Sequence, residues 1–328
     1  MPADRPTLEE ISGKVRLQVP ATSANLGPGY DSLGLALAHY DELEIRRVEQ
    51  GLSFELSGEG HNQVSRDQSH LVVKAMAQTW ASLGITELPG LHIKAVNKIP
   101  HSRGLGSSAA AIVAGVCAAN YLLTEPLRLS DRAVLQLCSS MEGHPDNVAP
   151  ALMGNFVISY LQEDGWQAVP VPVHPELKAL VAIPDYQVPT KAGRALLPEQ
   201  VPHRDAASNS GRAALLTHAL STNPDYLFAG TADLLHQQYR ASVMQPSAAL
   251  LDQLRQCGFA ALISGAGPSV LVFVRGNDEQ DHVKDSLKSV LNHPEIANFS
   301  GRRLNWCVLP VDIASKGVMI AREESEIS

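Results

Sequence analysis

The sequence predicts an α+β fold arranged as two domains. Three observations carry that expectation. The chain has 328 residues, room for two modest hydrophobic cores. Segments with period-2 alternation interleave with segments of helical spacing. Midway along, 163–176 (EDGWQAVPVPVHPE) gathers Pro, Gly and acidic residues, which places a boundary there to within about ten residues. The expected division is an arm over 1–13, a first domain over 14–165 and a second over 166–328.

The elements follow in order. KVRLQVP (14–20), LEIRRV (43–48) and LSFEL (52–56) alternate as half-buried strands do, with Gln50-Gly51 as a turn. SHLVVKAMAQTWASLG (69–84) has apolar residues at helical spacing, with Ser69 as N-cap and Gly84 as C-cap. LHIKAVNKIP (91–100) alternates again and stops at Pro100. AAAIVAGVCAANYLL (109–123) is apolar on every side, so it reads as a helix buried in a core; it falls short of the roughly 20 residues a bilayer needs. SDRAVLQLCSSMEG (130–143) is a helix capped by Ser130, HPDNVAPALMG (144–154) a turn and short helix, and FVISYL (156–161) a strand. Beyond the boundary come a strand (178–184), a short helix (190–198), a long helix (204–221), a mostly helical stretch (225–243) and a helix (247–258). Two strands around a glycine turn (259–274), an amphipathic helix (279–291) and a closing strand (305–311) end the series.

Composition narrows the function. Apolar residues make up 45% and charged residues 18%, as in an ordinary soluble globular protein. The net charge of −8 and the absence of a long basic run exclude a nucleic-acid surface but leave room for a local positive pocket. Cys117, Cys138, Cys257 and Cys307 form no C-x-x-C pair, which argues against zinc and a redox dithiol; buried free thiols are expected. The N-terminal MPADRPTLEEISGK lacks the apolar core of a signal peptide, so a cytoplasmic protein is expected.

HSRGLGSSAAA (101–111) is the segment that carries chemistry. Gly104, Gly106 and Ala109 satisfy the permissive dinucleotide pattern, a weak signal alone. The polar run PHSR before the glycines and the two serines after them both count against a dinucleotide. A phosphate site explains both: the glycines allow positive φ, backbone amides converge, and a helix starting near Ser107 adds its positive end. No Walker motif is present, since Gly13-Lys14 precedes Val15. On this segment alone, close helix packing and phosphate binding stand level.

Other segments separate them. PATSANLGPGYDSLGLAL (20–37), IPHSRGLGSSAAA (99–111) and ISGAGPSVLVF (263–273) resemble, in order and spacing, the three signature motifs of the GHMP small-molecule kinases. EGHPDNVAPALMG (142–154) and VPTKAGRALLP (188–198) are similar to the branch of that family acting on L-homoserine. The resemblance implies an N-terminal domain of the ribosomal-protein-S5 domain-2 type and a ferredoxin-like C-terminal domain. It implies transfer of the γ-phosphoryl group of ATP, with Mg²⁺, to the hydroxyl of L-homoserine, giving O-phospho-L-homoserine. Dimers are common among similar enzymes, so a homodimer is compatible with the resemblance, and the sequence leaves the oligomeric state open.

The same resemblance distributes roles. ATP falls to Pro100, His101, Ser102, Arg103, Gly104, Leu105, Gly106, Ser107, Ser108, Ala109 and Ala110. Ser108 and Glu142 match the magnesium ligands, with Ser107 second; one carboxylate and a hydroxyl suit Mg²⁺ beside phosphates. Asn147 stands where several related kinases carry a basic aspartate. An amide cannot take the proton but can orient the hydroxyl. Asp146 reads as the cap of the next helix and His144 as a substrate contact. A zwitterion needs both signs: Arg194 and Arg240 match the carboxylate partners, Thr190 assists, and Asn25 and Asp31 suit the ammonium end. Gly267, in the third motif, helps shape the cleft, and Tyr30 stands where many relatives carry another aromatic. Two rival readings fare worse. A nicotinamide dehydrogenase requires its glycines in the first βαβ unit with an acid about 20 residues on; Glu125 is near that spacing, but the glycines come a hundred residues into the chain. A non-catalytic relative would show losses at the magnesium or phosphate positions, and none is found.

Overall fold

In the computed structural model, which describes residues 6–323, the first strand already shows how the molecule is layered. β1 (Lys14–Ala24) buries Val15 and Leu17 while exposing Arg16 and Gln18, then becomes fully buried from Val19 onward. Its first half covers one side of a core; its second half runs beneath helices and the second domain. β2 (Leu33–Val48) pairs antiparallel with β1. Alternation over 43–48 predicts only its second half, because the LGLALA run before it is buried and carries no period.

β3 (Leu52–Gly58), helix α1 (Leu71–Ser82) and β4 (Gly90–Asn97) follow, β4 lying antiparallel to β2 and parallel to β3. Then come helices α2 (Ser107–Tyr121), α3 (Asp131–Glu142) and α4 (Pro145–Met153) and the hairpin of β5 (Phe156–Gln162) and β6 (Gly165–Val171). The expected boundary at 165/166 therefore falls inside a hairpin. Alternation along Gly165–Val171 pairs with Phe156–Gln162, and the chain crosses over only after Val171.

The second unit runs β7 (Leu177–Pro184), α5 (Thr190–Arg194), α6 (His203–Ser221), α7 (Leu227–Gly230), α8 (Gln237–Arg240), α9 (Gln245–Gln256), β8 (Ala260–Ile263), β9 (Val270–Arg275), α10 (Gly276–Val290) and α11 (Pro294–Ala297). A small ladder of β10 (Asn298–Phe299) and β11 (Arg302–Arg303) precedes β12 (Trp306–Asp312). The four-stranded sheet has the antiparallel order β12-β7-β9-β8, the β-α-β-β-α-β arrangement that the resemblance implies. The strand expected to close the chain is not its last. β13 (Met319–Glu323), assigned with the second half, returns to pair with Lys14–Gln18 of β1 and covers an otherwise open sheet edge. Among the described residues the first sheet orders β13-β1-β2-β4-β3, with β5 and β6 branching from β2.

α2 is the central helix, as its sequence predicts: every residue from Ala109 to Asn120 except Ala111 is buried. α1 crosses it at Gly115, where a Cβ would lie 2.5 Å from the Val72 carbonyl oxygen. The buried Asn120 amide is satisfied at both ends by the Leu129 backbone. One core runs through both domains: Leu177, Ala179, Val181 and Ile183 of β7 face it, while Leu180 and Ala182 face a second core beneath α9 and α10. Period-2 side-chain geometry thus makes the second sheet a partition buried on both sides.

Some local expectations change. Ser130 caps α3 by accepting from Ala133 N, but α1 begins after His70, and Ser69 instead donates its backbone N–H to Asp67. The arm is docked rather than loose over its described part: Ile11 is 2% exposed and Ser12 N donates to Leu122 O. Residues 1–5 of the arm lie outside the described residues, as do 324–328. The four cysteines are free, yet only Cys117 and Cys138 are buried; Cys257 and Cys307 end a helix and line an edge strand and are exposed. No helix among the described residues is long and apolar enough to cross a membrane.

Trp80 is fully buried and its Nε1 donates to Ala119 O, pinning α1 to α2. Trp80→Ala should cost about 3–5 kcal/mol, read as a lower urea midpoint at unchanged m-value. A shift below about 1 kcal/mol would mean that the two helices do not depend on this contact.

Candidate active site

The glycine segment is built as its composition predicts. Gly104 and Gly106 both have φ of +72°. A Cβ on Gly104 would sit 2.1 Å from Ser264 O, and one on Gly106 would sit 2.0 Å from Thr22 Oγ1. Both positions therefore demand glycine for conformation and for space. Ser264 Oγ donates to Gly104 O at 2.6 Å and lies 2.9 Å from Ser23 Oγ. Gly265 N donates to Ala24 O, Asn25 Nδ2 to Gly265 O, and Thr22 N to Leu105 O. The 20–37, 99–111 and 263–273 segments form one hydrogen-bonded unit. From it α2 points its N-terminal turn, whose first amides have no intrahelical partner and whose dipole is positive, at a cleft.

That cleft, of about 120 Å³, is lined by Asn25, Pro100, Ser102 through Ser108, Glu142, His144, Asp146, Asn147, Thr190, Arg194, Arg240, Gly265 and Ala266. It brings together most of the residues singled out from sequence. His101 and Ala110 border an adjoining hollow of about 250 Å³ that shares Ser102, Ser107 and Ser108 with the cleft. Ala109 is fully buried inside α2. Asp31 and Gly267 do not line the cleft: Asp31 reaches it through Arg194, and Gly267 backs the Gly104 wall.

Glu142 ends α3, where the helix dipole disfavours an acid. Ser108 Oγ donates to its Oε2 at 2.9 Å, yet burial outweighs this and pushes the Glu142 carboxyl up. His144 Nδ1 meets Asp146 Oδ1 at 2.5 Å. Burial lowers the imidazole's pKa, but the bond and charge of Asp146 raise it more, so the net shift is upward. Asp146 does not cap α4. It is the helix's second residue, 1% exposed, and its carboxylate is committed to His144, which occupies the cap position. Thr22, which sequence reasoning missed, donates its hydroxyl to Asn147 Oδ1 at 2.8 Å. The Asn147 amide is thereby oriented with its NH₂ group free for the cleft.

Charge is distributed unevenly. Arg194 makes a bidentate pair with Asp31, at 2.5 and 3.0 Å, and also donates to Tyr30 Oη. Asn25 is spent on structure, accepting from Asp31 N and donating to Gly265 O. Arg240 differs: it is 1% exposed, and no carboxylate among the described residues lies within ion-pair reach. Its Nη1 donates to Gly265 O and to His236 Nδ1, both at 3.3 Å, and its Nε has no partner among the described residues. Burial pulls its pKa down. Tyr30 lies between the two guanidiniums, 5.5 and 5.4 Å from its ring centre.

At the floor of the larger hollow, Asp41 Oδ1 accepts from Lys98 N at 2.6 Å and Ile99 N at 2.9 Å, shaping the entry to the glycine segment. Burial raises its carboxyl from 3.8 to about 6. Between those values the folded state holds the extra proton. Asp41's contribution to stability is therefore greatest at low pH and is lost as pH rises through about 6. Asp41→Asn keeps an acceptor for both amides and removes the titration. The stability difference between parent and variant should shift in the parent's favour as pH falls from 6 to 4. A constant offset in denaturant melts across that window would contradict this.

Comparison with known proteins fits this geometry. The model for the GHMP kinases N terminal domain matches residues 70–155, and that for the GHMP kinases C terminal matches 206–293. A homoserine kinase from Mycolicibacterium smegmatis is 50% identical over 264 residues, covering 77% of this chain and 82% of that protein. One from Corynebacterium diphtheriae is 43% identical over 311 residues, 93% of this chain and 95% of its own. The crystal structure of homoserine kinase from Cytophaga hutchinsonii superposes with a TM-score of 0.79 at 25% identity, covering 95% of this chain and 98% of that one. With two motif-bearing domains, a glycine loop opening α2 and relatives matched along most of its length, the chain belongs to the GHMP kinase family.

Proposed function

We propose that the protein is a homoserine kinase, transferring the γ-phosphoryl group of ATP to the side-chain hydroxyl of L-homoserine. Arg240 carries the reading. A guanidinium buried without a counter-charge is costly, its Nε is unpartnered among the described residues, and the residue lines a cleft that a small anion can enter. An amino-acid carboxylate supplies the missing charge. The Arg194–Asp31 pair beside it offers a ready exchange: the carboxylate draws Arg194 while the ammonium replaces it at Asp31, so each charge of the zwitterion meets an opposite one.

The nucleotide reading rests on the larger hollow for the base and on α2's N-terminus with the Gly104–Ser108 amides for the phosphates. Ser108 Oγ and Glu142 Oε2, two hard oxygen donors 2.9 Å apart at that helix start, suit Mg²⁺. When bound, Mg²⁺ neutralises charge on the transferred group. The chain's own residues do the rest. Asn147, held by Thr22, turns its NH₂ toward the acceptor oxygen. His144 commits Nδ1 to Asp146, leaving Nε2 to receive the hydroxyl proton. Phosphoryl transfer is loose, so that proton need leave only late. Both substrates belong to the cytoplasm, where this reading places the chain.

The test is ADP release with ATP, Mg²⁺ and L-homoserine, mevalonate or shikimate. Turnover should require L-homoserine; turnover on another alcohol instead would overturn the reading. Glu142→Ala should lower kcat by about 10²-fold or more. Near-parental rates at saturating Mg²⁺ would remove Glu142 from the metal site. His144→Asn should lower kcat by about 10²-fold. Because Asp146 raises the imidazole above its ordinary 6.5, the parent should lose activity as pH falls through a value above 6.5. That limb should vanish in the variant, and an unchanged limb would exclude His144 as the proton acceptor.

A further inference from the structure

His236 lies outside the cleft, is 0% exposed and belongs to none of the motifs, yet it is bonded on both ring nitrogens. Nε2 lies 2.9 Å from the carbonyl oxygen of Gly27, which can only accept. Nδ1 lies 3.3 Å from Arg240 Nη1, which can only donate. These two partners admit one form of the ring, the neutral tautomer with the proton on Nε2 and a bare lone pair on Nδ1. The ring is also held by its segment. Asp233 accepts the backbone N–H groups of Leu235, His236 and Gln237, and Gln237 Oε1 accepts from Ile263 N at the end of β8. His236 and Arg240 stand four residues apart across α8, so their side chains meet on one face. Tyr30 closes the other side, its ring centre 5.5 Å from the imidazole.

We infer that His236 is a positioning residue for substrate: its Nδ1 lone pair fixes the Arg240 guanidinium, and its bond to Gly27 fixes the ring that carries that lone pair. Arg240 has few other means of orientation. It lacks a carboxylate partner among the described residues, and its remaining side-chain bond is the 3.3 Å contact to Gly265 O. A buried imidazole can direct a guanidinium without neutralising it, leaving the positive charge for an incoming carboxylate. A carboxylate in the same place would have satisfied Arg240 and closed the site. His236 is also where the second domain senses the first: the Gly27 carbonyl belongs to the loop bearing Tyr30 and Asp31. This inference rests on the reading of Arg240 as the substrate-carboxylate partner.

Two substitutions separate the ring's two bonds. In His236→Asn the Oδ1 atom stands near the place of Nδ1, so the acceptor for Arg240 is kept and the bond to Gly27 is lost. In His236→Gln the Nε2 atom reaches the place of the imidazole Nε2, so the bond to Gly27 is kept and the acceptor is lost. His236→Gln should raise the homoserine KM about tenfold or more, while His236→Asn stays within about threefold of the parent. The KM for ATP and kcat at saturating homoserine should hold within about twofold in both. Stability should move the other way, His236→Asn being the less stable on melting. A residue with only a structural role would move stability and KM together, and equal KM values for the two variants would overturn the proposal. Arg240→Met, measured alongside, separates the two levels of inference. If it raises the homoserine KM and His236→Gln does not, the positioning role alone fails. If Arg240→Met leaves that KM unchanged, the pocket reading fails and this inference with it. The parent protein supplies a check independent of any variant. Long-range ¹H–¹⁵N correlation on histidine-labelled protein should show His236 protonated on Nε2 only; an Nδ1–H tautomer would overturn the assignment.

Discussion

The hydroxyl of Ser264 and the carbonyl of Gly104, 2.6 Å apart and 160 residues apart in sequence, join the loops on which the site depends. That approach leaves no space for a side chain at position 104. It sets the glycine loop against the third motif, while Ala24 and Asn25 hold the third motif from the other side. The first amides of α2 point where they do because this knot stops the loop from folding back over them. The two domains are accordingly not separate bodies bridged by a linker. They share one core, and their contact at the cleft is made by hydrogen bonds that mostly engage backbone groups, whose geometry tolerates little drift.

Around the knot the chain departs from the rules of a stable interior. It buries Arg240 without a counter-ion, places Glu142 at the wrong end of a helix dipole and pairs His144 with a buried acid. The unpaired guanidinium and the acid at the helix end destabilise the empty site; under the proposed function a carboxylate would relieve the first and a divalent cation the second. Arg194 and Asp31 compensate each other in the meantime. Violations of this kind, gathered around one cleft, are the physical mark of a site built for binding.

Several features were legible residue by residue. Gly104 and Gly106 read as positive-φ positions, Ser107 as a helix start, 109–123 as a buried helix and Ser130 as a cap, and each depends on neighbours within a few residues. Other readings failed for one common reason. Asp146 resembles a helix cap because caps are local, but a partner two residues back claims it. The stretch 163–176 has linker composition and contains the crossover after Val171, but pairing with β5 makes Gly165–Val171 a strand. Thr22 reads as a strand former, and nothing near it discloses an amide 125 residues away.

What the sequence alone determined is therefore the periodic and the conformational: strand and helix placement, the turn-forming glycines, and through its motifs the family. Those depend on side-chain period and backbone φ, which are set within a turn or two of chain. Tertiary structure alone decided which buried charge stayed unpaired, which partners the two nitrogens of His236 met, and which strand closed the first sheet. Those outcomes depend on partners brought together by folding across some 200 residues, as the 209-residue span from Gly27 to His236 makes plain. Hydrogen-bond donors and acceptors are assigned only when both ends of the bond are in place.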